Sequence, residues 1–193
     1  DACTVHLFSA PILLDSFTVS SPQINDSRQV VWASNVDGIS DSEIFIYEHG
    51  AGTTTPLTDN GYDDIDPQLN SSGNVVWQES DGLISAIQYY DSGTLFTTLL
   101  ESQNSATLRY SKPQISDNDN AIWAFDQPGI TTVYYYDKPL DTSATRAFMD
   151  TTLWPPDIND SGNFAFHAEP DIGLYDYSSN TQSFMFGVDS TNK

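Results

Sequence analysis

An eleven-residue pattern occurs four times along the 193-residue chain, and it constrains the fold more than any other feature. The copies begin at residues 22, 67, 113 and 156, and they read PQINDSRQVVW, PQLNSSGNVVW, PQISDNDNAIW and PDINDSGNFAF. Their first residues are 45, 46 and 43 positions apart. A repeat of this length predicts one supersecondary unit built four times, with each unit burying its apolar face against the next.

Each copy predicts the same local structure. The proline is expected to open a short strand, where its missing N–H costs least, and the polar tetrad after it is turn chemistry. The β-branched and aromatic run that follows predicts a second strand. Third strands are predicted at 44–47, 87–90, 133–136 and 173–176, and fourth strands at 55–58, 96–99, 145–148 and 183–186. Because no segment shows a sustained 3.6-residue period, we expect almost no helix.

Four short antiparallel strands in each unit of roughly 45 residues are typical of a β-propeller blade. We therefore predict an all-β fold in which residues 1–193 form one propeller domain of four blades. The repeats are expected to span approximately 22–66, 67–112, 113–155 and 156–193, with 4–21 as an extra closing strand. The blades could close alone as a four-bladed ring, form half of an eight-bladed ring made by two chains, or belong to something longer.

The repeat resembles the blades of TolB-type (WD-like) propellers over about residues 12–187. Residues 44–47, followed by Leu57 and Thr58, are the nearest copy of that family's pattern. The tetrad also resembles the Asp-box of sialidases, as at 159–163. An Asp-box is a structural hairpin, so this likeness implies a fold and not an activity.

The charge balance excludes some classes of function. The chain has six Lys and Arg residues and 27 Asp and Glu residues, which gives a net charge of −21. Such a field repels phosphate and argues against nucleic acid and against anionic membrane surfaces. No apolar run approaches the roughly 18 residues that a membrane-spanning helix needs.

The composition also bears on location. Cys3 is the single cysteine, so no intrachain disulfide can form, and it could be lipidated, bridged to another chain or free. The chain begins at Asp1 without Met, which fits a trimmed mature form or an expression product. The acidic composition is typical of proteins from salty surroundings. We expect an extracellular, cell-surface or periplasmic protein.

The candidate site is the end of the propeller where ligands usually bind, formed by the loops between second and third strands and by the connections between blades. The predicted ligand-binding residues are Tyr62, Asp63, Asp64, Asp66, Trp154, His167 and Glu169. Carboxylates packed together repel one another unless a cation or water screens them, so Asp63, Asp64 and Asp66 are also a candidate metal site that could hold Ca²⁺. A merely solvated acidic rim is the alternative.

Other features have structural explanations. Trp32, Trp77 and Trp123 occupy the same position in three repeats, which predicts packing between blades. Trp154 stands outside the repeat and is the aromatic residue that we expect to contact a ligand. No Gly-x-Ser-x-Gly elbow and no Cys/His pair in a plausible context occurs.

Two functions are consistent with these observations. The first is a non-enzymatic binding or assembly module that holds a protein or glycan on its loops, needs no cofactor and could form a homo-oligomer. The second is a carbohydrate-active enzyme, a glycosidase or a polysaccharide lyase, with an acidic site at the channel mouth. An acidic rim can always supply a carboxylate pair, so the pair alone is not diagnostic. The lack of His, Arg and Ser motifs favours the binding module.

Overall fold

The computed structural model describes residues 13–14, 18–35, 41–138, 142–149, 155–168 and 171–185. Within these ranges it contains four antiparallel sheets of four strands, and in each sheet the strands follow one another in chain order. No helix occurs in the described ranges, so none there has the length and apolar character needed to cross a bilayer. The all-β prediction is confirmed.

The strand bounds follow the repeat. Sheet 1 contains β1 (Thr18–Ile24), β2 (Gln29–Asn35), β3 (Glu43–Glu48) and β4 (Thr53–Pro56). Sheet 2 contains β5 (Asp63–Leu69), β6 (Val75–Ser80), β7 (Ile84–Asp91) and β8 (Phe96–Asn104). Sheet 3 contains β9 (Arg109–Ile115), β10 (Ala121–Gln127), β11 (Ile130–Asp137) and β12 (Thr142–Met149). Sheet 4 contains β13 (Asp157–Ile158), β14 (Phe164–Ala168), β15 (Asp171–Asp176) and β16 (Thr181–Met185).

The sheets pack face to face in the order of the sequence. We call the face that a sheet turns towards the preceding sheet its front face, and the opposite face its rear face. Three buried clusters join the rear of one sheet to the front of the next; they are centred on Val31 with Trp77, on Tyr89 with Trp123, and on Tyr135 with Phe166. The tryptophans at 77 and 123 thus pack between sheets, as the repeat predicts, whereas Trp32 lies on the front face of sheet 1, which has no preceding sheet among the described residues.

Three of the four repeat prolines do not open their strands, so that expectation is wrong for them, whereas Pro156 directly precedes β13. Pro22, Pro67 and Pro113 lie inside β1, β5 and β9. At each of them the pairing with the second strand of the sheet shifts register, which marks a β-bulge. A bulge leaves a residue unpaired, so the missing proline N–H removes no ladder bond there. The preceding residue has a positive φ in all three strands, at Ser21, Asp66 and Lys112.

The two ends of the sheets differ in their connections. The loop edge carries the loops between second and third strands and the connections from one sheet to the next. The turn edge carries the tight hairpin turns between first and second and between third and fourth strands. Residues 4–12 and 15–17 of the proposed closing strand lie outside the described residues, whereas residues 18–21 belong to β1 of sheet 1.

Sheet 4 replaces the repeat tryptophan by Phe166, which pairs with Gly173 on β15. A Cβ atom on Gly173 would overlap the Phe166 ring. We therefore expect Gly173→Ala to lower the free energy of unfolding by about 1–3 kcal/mol, because overpacking forces the ring from its site. Urea denaturation measures this, with Gly50→Ala as the control because a Cβ there meets nothing within 4 Å. Equal effects of both changes would contradict the packing described.

Candidate functional site

The predicted site lies at the loop edge, where sheet 2 begins against sheet 1. The backbone N–H of Asp64 donates to the carbonyl of Ser42 at 2.7 Å. The Asp63 side chain accepts a hydrogen bond from the Ser42 backbone N–H at 3.0 Å. Both contacts connect the start of β5 to the end of the loop before β3. The structure therefore fixes these two aspartates at the seam between the two sheets.

Asp64 is fully buried at this seam. Its Oδ1 accepts from the indole Nε1 of Trp77 at 2.7 Å, and its Oδ2 accepts from Nδ2 of Asn60 at 2.9 Å. Burial raises the pKa of Asp64 to about 7, and the negative charges of Glu79 and Glu43 act in the same direction. The hydrogen bond from Trp77 opposes the rise because it favours the ionised form. Asp64 can therefore hold or release a proton near neutral pH.

Two further carboxyl groups lie close enough to Asp64 for their charges to act on it. Glu43 Oε1 accepts from the backbone N–H of Asn60 at 2.9 Å, whereas its Oε2 is buried without a partner. Burial raises the pKa of Glu79, and Asp81 and Glu43 add to this effect. Within the described ranges no lysine or arginine forms an ion pair with these groups. The seam is thus a concentration of acid groups that a cationic group would stabilise.

A cavity of about 280 Å³ opens at the loop edge of sheet 1, on the side of its front face, where Phe45 pairs with Trp32. Asp41 and Glu43 line it from one side, and Asp59 and Asn60 line it from the connection to β5. Phe45 supplies an apolar wall. Carboxylates beside an aromatic ring form a surface suited to a positively charged side chain.

Asp66 belongs to a different place. It occupies the bulge of β5 and accepts a hydrogen bond from Oγ of Ser21 at 2.9 Å. Lys112 occupies the same position in β9; burial lowers its pKa, and the charges of Asp126 and Asp66 oppose that change. The positions before the repeat prolines therefore bring Ser21, Asp66 and Lys112 together on the first strands of three successive sheets.

The three aspartates predicted as metal ligands thus have three separate partners within the protein. The side chain of Asp63 accepts a hydrogen bond from a loop N–H, that of Asp64 accepts one from an indole, and that of Asp66 accepts one from a serine hydroxyl. Across the described part of the chain, no group of three or more His, Cys, Asp or Glu residues is arranged to hold a metal ion. A Ca²⁺ site at Asp63, Asp64 and Asp66 stays a prediction.

The remaining predicted residues are dispersed. Tyr62 is half-buried, and its N–H donates to Oδ1 of Asn60 at 2.6 Å. His167 lies on β14 opposite Ile172. It therefore belongs to sheet 4, the last of the four successive sheets, whereas Asp64 belongs to sheet 2. Trp154 and Glu169 lie outside the described residues. The structure therefore brings Tyr62, Asp63 and Asp64 together at the seam between sheets 1 and 2, but it does not place His167 there.

Sequence reasoning missed a hydrogen-bonded ladder along the turn edge. Nδ2 of Asn25 donates to the carbonyl of Asn70 in the next sheet at 2.9 Å. Nδ2 of Asn70 in turn donates to the carbonyl of Ser116 at 3.1 Å. The asparagines were recognised only as turn formers. Their recurrence at one repeat position could have indicated hydrogen bonds between sheets. Each side-chain amide keeps a free N–H donor after its oxygen has accepted the hydrogen bonds of its own turn.

A second set of ladder bonds runs through the next repeat position. The backbone N–H of Ser71 donates to Oδ1 of Asp117 at 2.8 Å, and that of Asp117 donates to Oδ1 of Asp160 at 2.9 Å. The first three turns of the repeat thus each supply a donor to the following sheet. The turn edge is therefore a structural surface that holds neighbouring sheets in register.

The fold is shared with solved structures of low sequence identity. The β-propeller domain of the trilobed protease from Pyrococcus furiosus matches 89% of this chain with a TM-score of 0.64 at 12% identity. Dipeptidyl peptidase 4 from Porphyromonas gingivalis matches 92% with a TM-score of 0.67 at 13% identity, and a putative TolB from Agrobacterium tumefaciens matches 87% with 0.60 at 13%. These likenesses show a β-propeller fold and nothing further.

The match covers only part of each of these proteins. This chain spans 57% of the trilobed-protease domain, 34% of the dipeptidyl peptidase and 65% of the TolB chain. No family model and no curated protein sequence matches it.

Proposed function

We propose that this chain is a non-enzymatic binding module that holds a protein or glycan at the loop edge of its sheets. The observation that carries the proposal is the cavity of about 280 Å³ at the loop edge of sheet 1, lined by Asp41, Glu43 and Asp59 beside the ring of Phe45. The propeller fold supports it, because propellers present short loops together at one edge. The solved neighbours include propeller domains of peptidases and a putative TolB, and we infer that the repeats are of the TolB type.

The electrostatics of the cavity favour a basic protein segment as the ligand. Asp41, Glu43 and Asp59 line it, and their carboxyl groups favour a guanidinium or ammonium group over a neutral or anionic one. The net charge of −21 also speeds the encounter with positively charged partners. Neutral glycans are the second ligand class, and anionic ones are disfavoured by the same charge. We place the module outside the cytoplasm, at a cell surface, in a periplasm or in the medium.

A binding experiment tests the proposal. Lysine- and arginine-rich peptides, acidic peptides of the same length and a glycan array would be presented to the immobilised chain. We expect the basic peptides to bind, with an affinity that falls as salt rises. The double change Asp59→Asn and Asp81→Asn, which removes two exposed loop-edge charges, should weaken binding by about 3–10-fold.

The matched control removes two charges from the opposite edge. Asp117→Asn with Asp160→Asn keeps both ladder acceptors, because an asparagine Oδ1 replaces the carboxylate oxygen, and it should leave peptide binding unchanged. Equal losses in the two double variants would mean that net charge, and not the loop edge, attracts the peptides. Failure of every peptide and glycan to bind would defeat the proposed function.

A further inference from the structure

The contacts between successive sheets share recurring parts, and among the described residues the two halves of such a contact stand at the two ends of the series of sheets. One part is apolar. Residues on the rear faces of sheets 1 to 3, among them Val31, Ile87 and Val133, are fully buried under the next sheet. The corresponding rear face of sheet 4 leaves Ile172 48% exposed and Met185 54% exposed.

The rear face of sheet 4 is also open in shape. A cavity of about 480 Å³ lies on it, lined by Asp157, Ala165, Leu174 and Ser183 together with other residues of sheet 4 and its turn. No residue of sheet 1 contributes to this lining. At the other end of the array, sheet 1 has an apolar recess of about 150 Å³ beside Trp32, where Val19 is 49% exposed. Among the described residues, none that lines one of these two surfaces also lines the other.

The second part of the contact is a carboxylate that ends the third strand of a sheet. Asp91 ends β7, and Nζ of Lys138 in sheet 3 binds its Oδ2 at 2.9 Å. Asp137 ends β11, and the hydroxyl of Tyr177 in sheet 4 donates to its Oδ2. In both cases the donor is the first residue after the third strand of the next sheet. Two of the three contacts between sheets therefore use one carboxylate at one repeat position.

The ends of the array carry the two halves of this pair. Asp176 ends β15, and its Oδ1 caps its own turn as Asp91 Oδ1 does. No following sheet supplies a donor to it within the described residues. The first residue after β3 of sheet 1 is His49, whose Nε2 lies 3.2 Å from Nη1 of Arg28. One end thus presents a carboxylate and the other end a guanidinium with an imidazole, at equivalent positions of the repeat.

The ladder of the turn edge ends in the same complementary way. The backbone N–H groups of Ser71 and Asp117 donate to the carboxylates of Asp117 and Asp160 in the next sheet. By the repeat, the N–H of Asp160 is the next donor, and the exposed carboxylate of Asp26 in sheet 1 is the corresponding acceptor. The donor is at one end of the array and the acceptor is at the other.

We propose that the rear face of sheet 4 binds the front face of sheet 1 of a second copy of this chain. Two copies joined twice in this way form a closed ring of eight sheets with twofold symmetry, in which every sheet has a neighbour on both faces. Asp176 of one copy then faces Arg28 and His49 of the other. The new contact continues the interface that already joins the four sheets.

The mass of the protein in solution tests this assembly. Light scattering during size-exclusion chromatography should give about twice the 21.3 kDa of one chain. Asp176→Lys places a cation against Arg28 and should raise the dimer dissociation constant at least tenfold. Arg28→Asp alone should also weaken the dimer, whereas the double change Asp176→Lys with Arg28→Asp should restore it. Restoration cannot come from repair of a damaged turn, because the two residues lie at opposite ends of the array.

Circular dichroism would verify that each variant stays folded. The double change Asp59→Asn with Asp81→Asn, at the loop edge, should leave the dimer mass unchanged, so loss of peptide binding in this variant does not count against the assembly. A wild-type mass of one chain at high micromolar concentration would overturn the proposal. So would a mass that rises without limit, since it would indicate an open chain of copies, or a dimer that none of the charge changes affects.

Discussion

Replacing Trp77 by alanine is expected to lower the free energy of unfolding by about 3–5 kcal/mol. The indole is 1% exposed and packs with Val31 and Ile44 of sheet 1, so its removal leaves a cavity that joins two sheets. Trp123 is fully buried in the equivalent place between sheets 2 and 3, and Trp123→Ala should cost a similar amount. Urea denaturation followed by tyrosine and residual tryptophan fluorescence measures both losses.

The change from tryptophan to phenylalanine separates the two sites. Trp77 Nε1 donates to Asp64, whereas Trp123 Nε1 is buried without a hydrogen-bond partner. Trp77→Phe therefore removes the donor of a buried carboxyl group, while Trp123→Phe removes a polar group that already lacks a partner. We expect Trp77→Phe to be the more destabilising by about 1–3 kcal/mol. Small and equal losses in all four variants would mean that the tryptophans do not hold the sheets together.

The repeat was sufficient to predict the strands and the faces of the sheets, because both depend on local alternation and on matching positions. The prediction was wrong at Pro22, Pro67 and Pro113 because a bulge is a property of two paired strands. Nothing in the residues around Pro67 shows where its partner strand β6 will shift register. The three positive φ values before these prolines are visible only once the pairing is known.

The candidate site was predicted only in part for a related reason. Asp63, Asp64 and Asp66 are near one another in sequence and were treated as one set of ligands. In the strand, Asp63 and Asp64 point to opposite faces, and the bulge turns Asp66 towards Ser21. The burial of Asp64 could have been suspected from the repeat, since it occupies the position of Tyr110, another buried residue. Its bond to Trp77 could not, because that bond needs the geometry of the sheet.

The buried carboxyl group of Asp64 gives the fold a dependence on pH. Its pKa is raised from 3.8 to about 7 in the folded state, so between these values the folded chain holds a proton that the unfolded chain has lost. Stability from this group is therefore fully present below about pH 4 and is lost as pH rises through 7. The hydrogen bonds that lower the pKa of Asp91 and Asp176 act in the opposite sense, and their contribution is lost only in more acidic solution.

We expect the free energy of unfolding to fall by up to about 4 kcal/mol between pH 4 and pH 8, since one pKa unit corresponds to about 1.4 kcal/mol. Asp64→Asn should abolish most of this slope, because an amide keeps the acceptor for Trp77 Nε1 without taking a charge. At pH 8 the variant should be more stable than the wild type, and the difference should shrink steadily until the two are nearly equal at about pH 4. Asp63→Asn, which changes the adjacent half-buried carboxylate, should keep the wild-type slope. Denaturation curves at four or five pH values measure the free energy of unfolding of each protein. If these free energies change with pH in parallel for Asp64→Asn and the wild type, then Asp64 is ionised in the folded chain, and the acid groups at the seam do not suppress its charge.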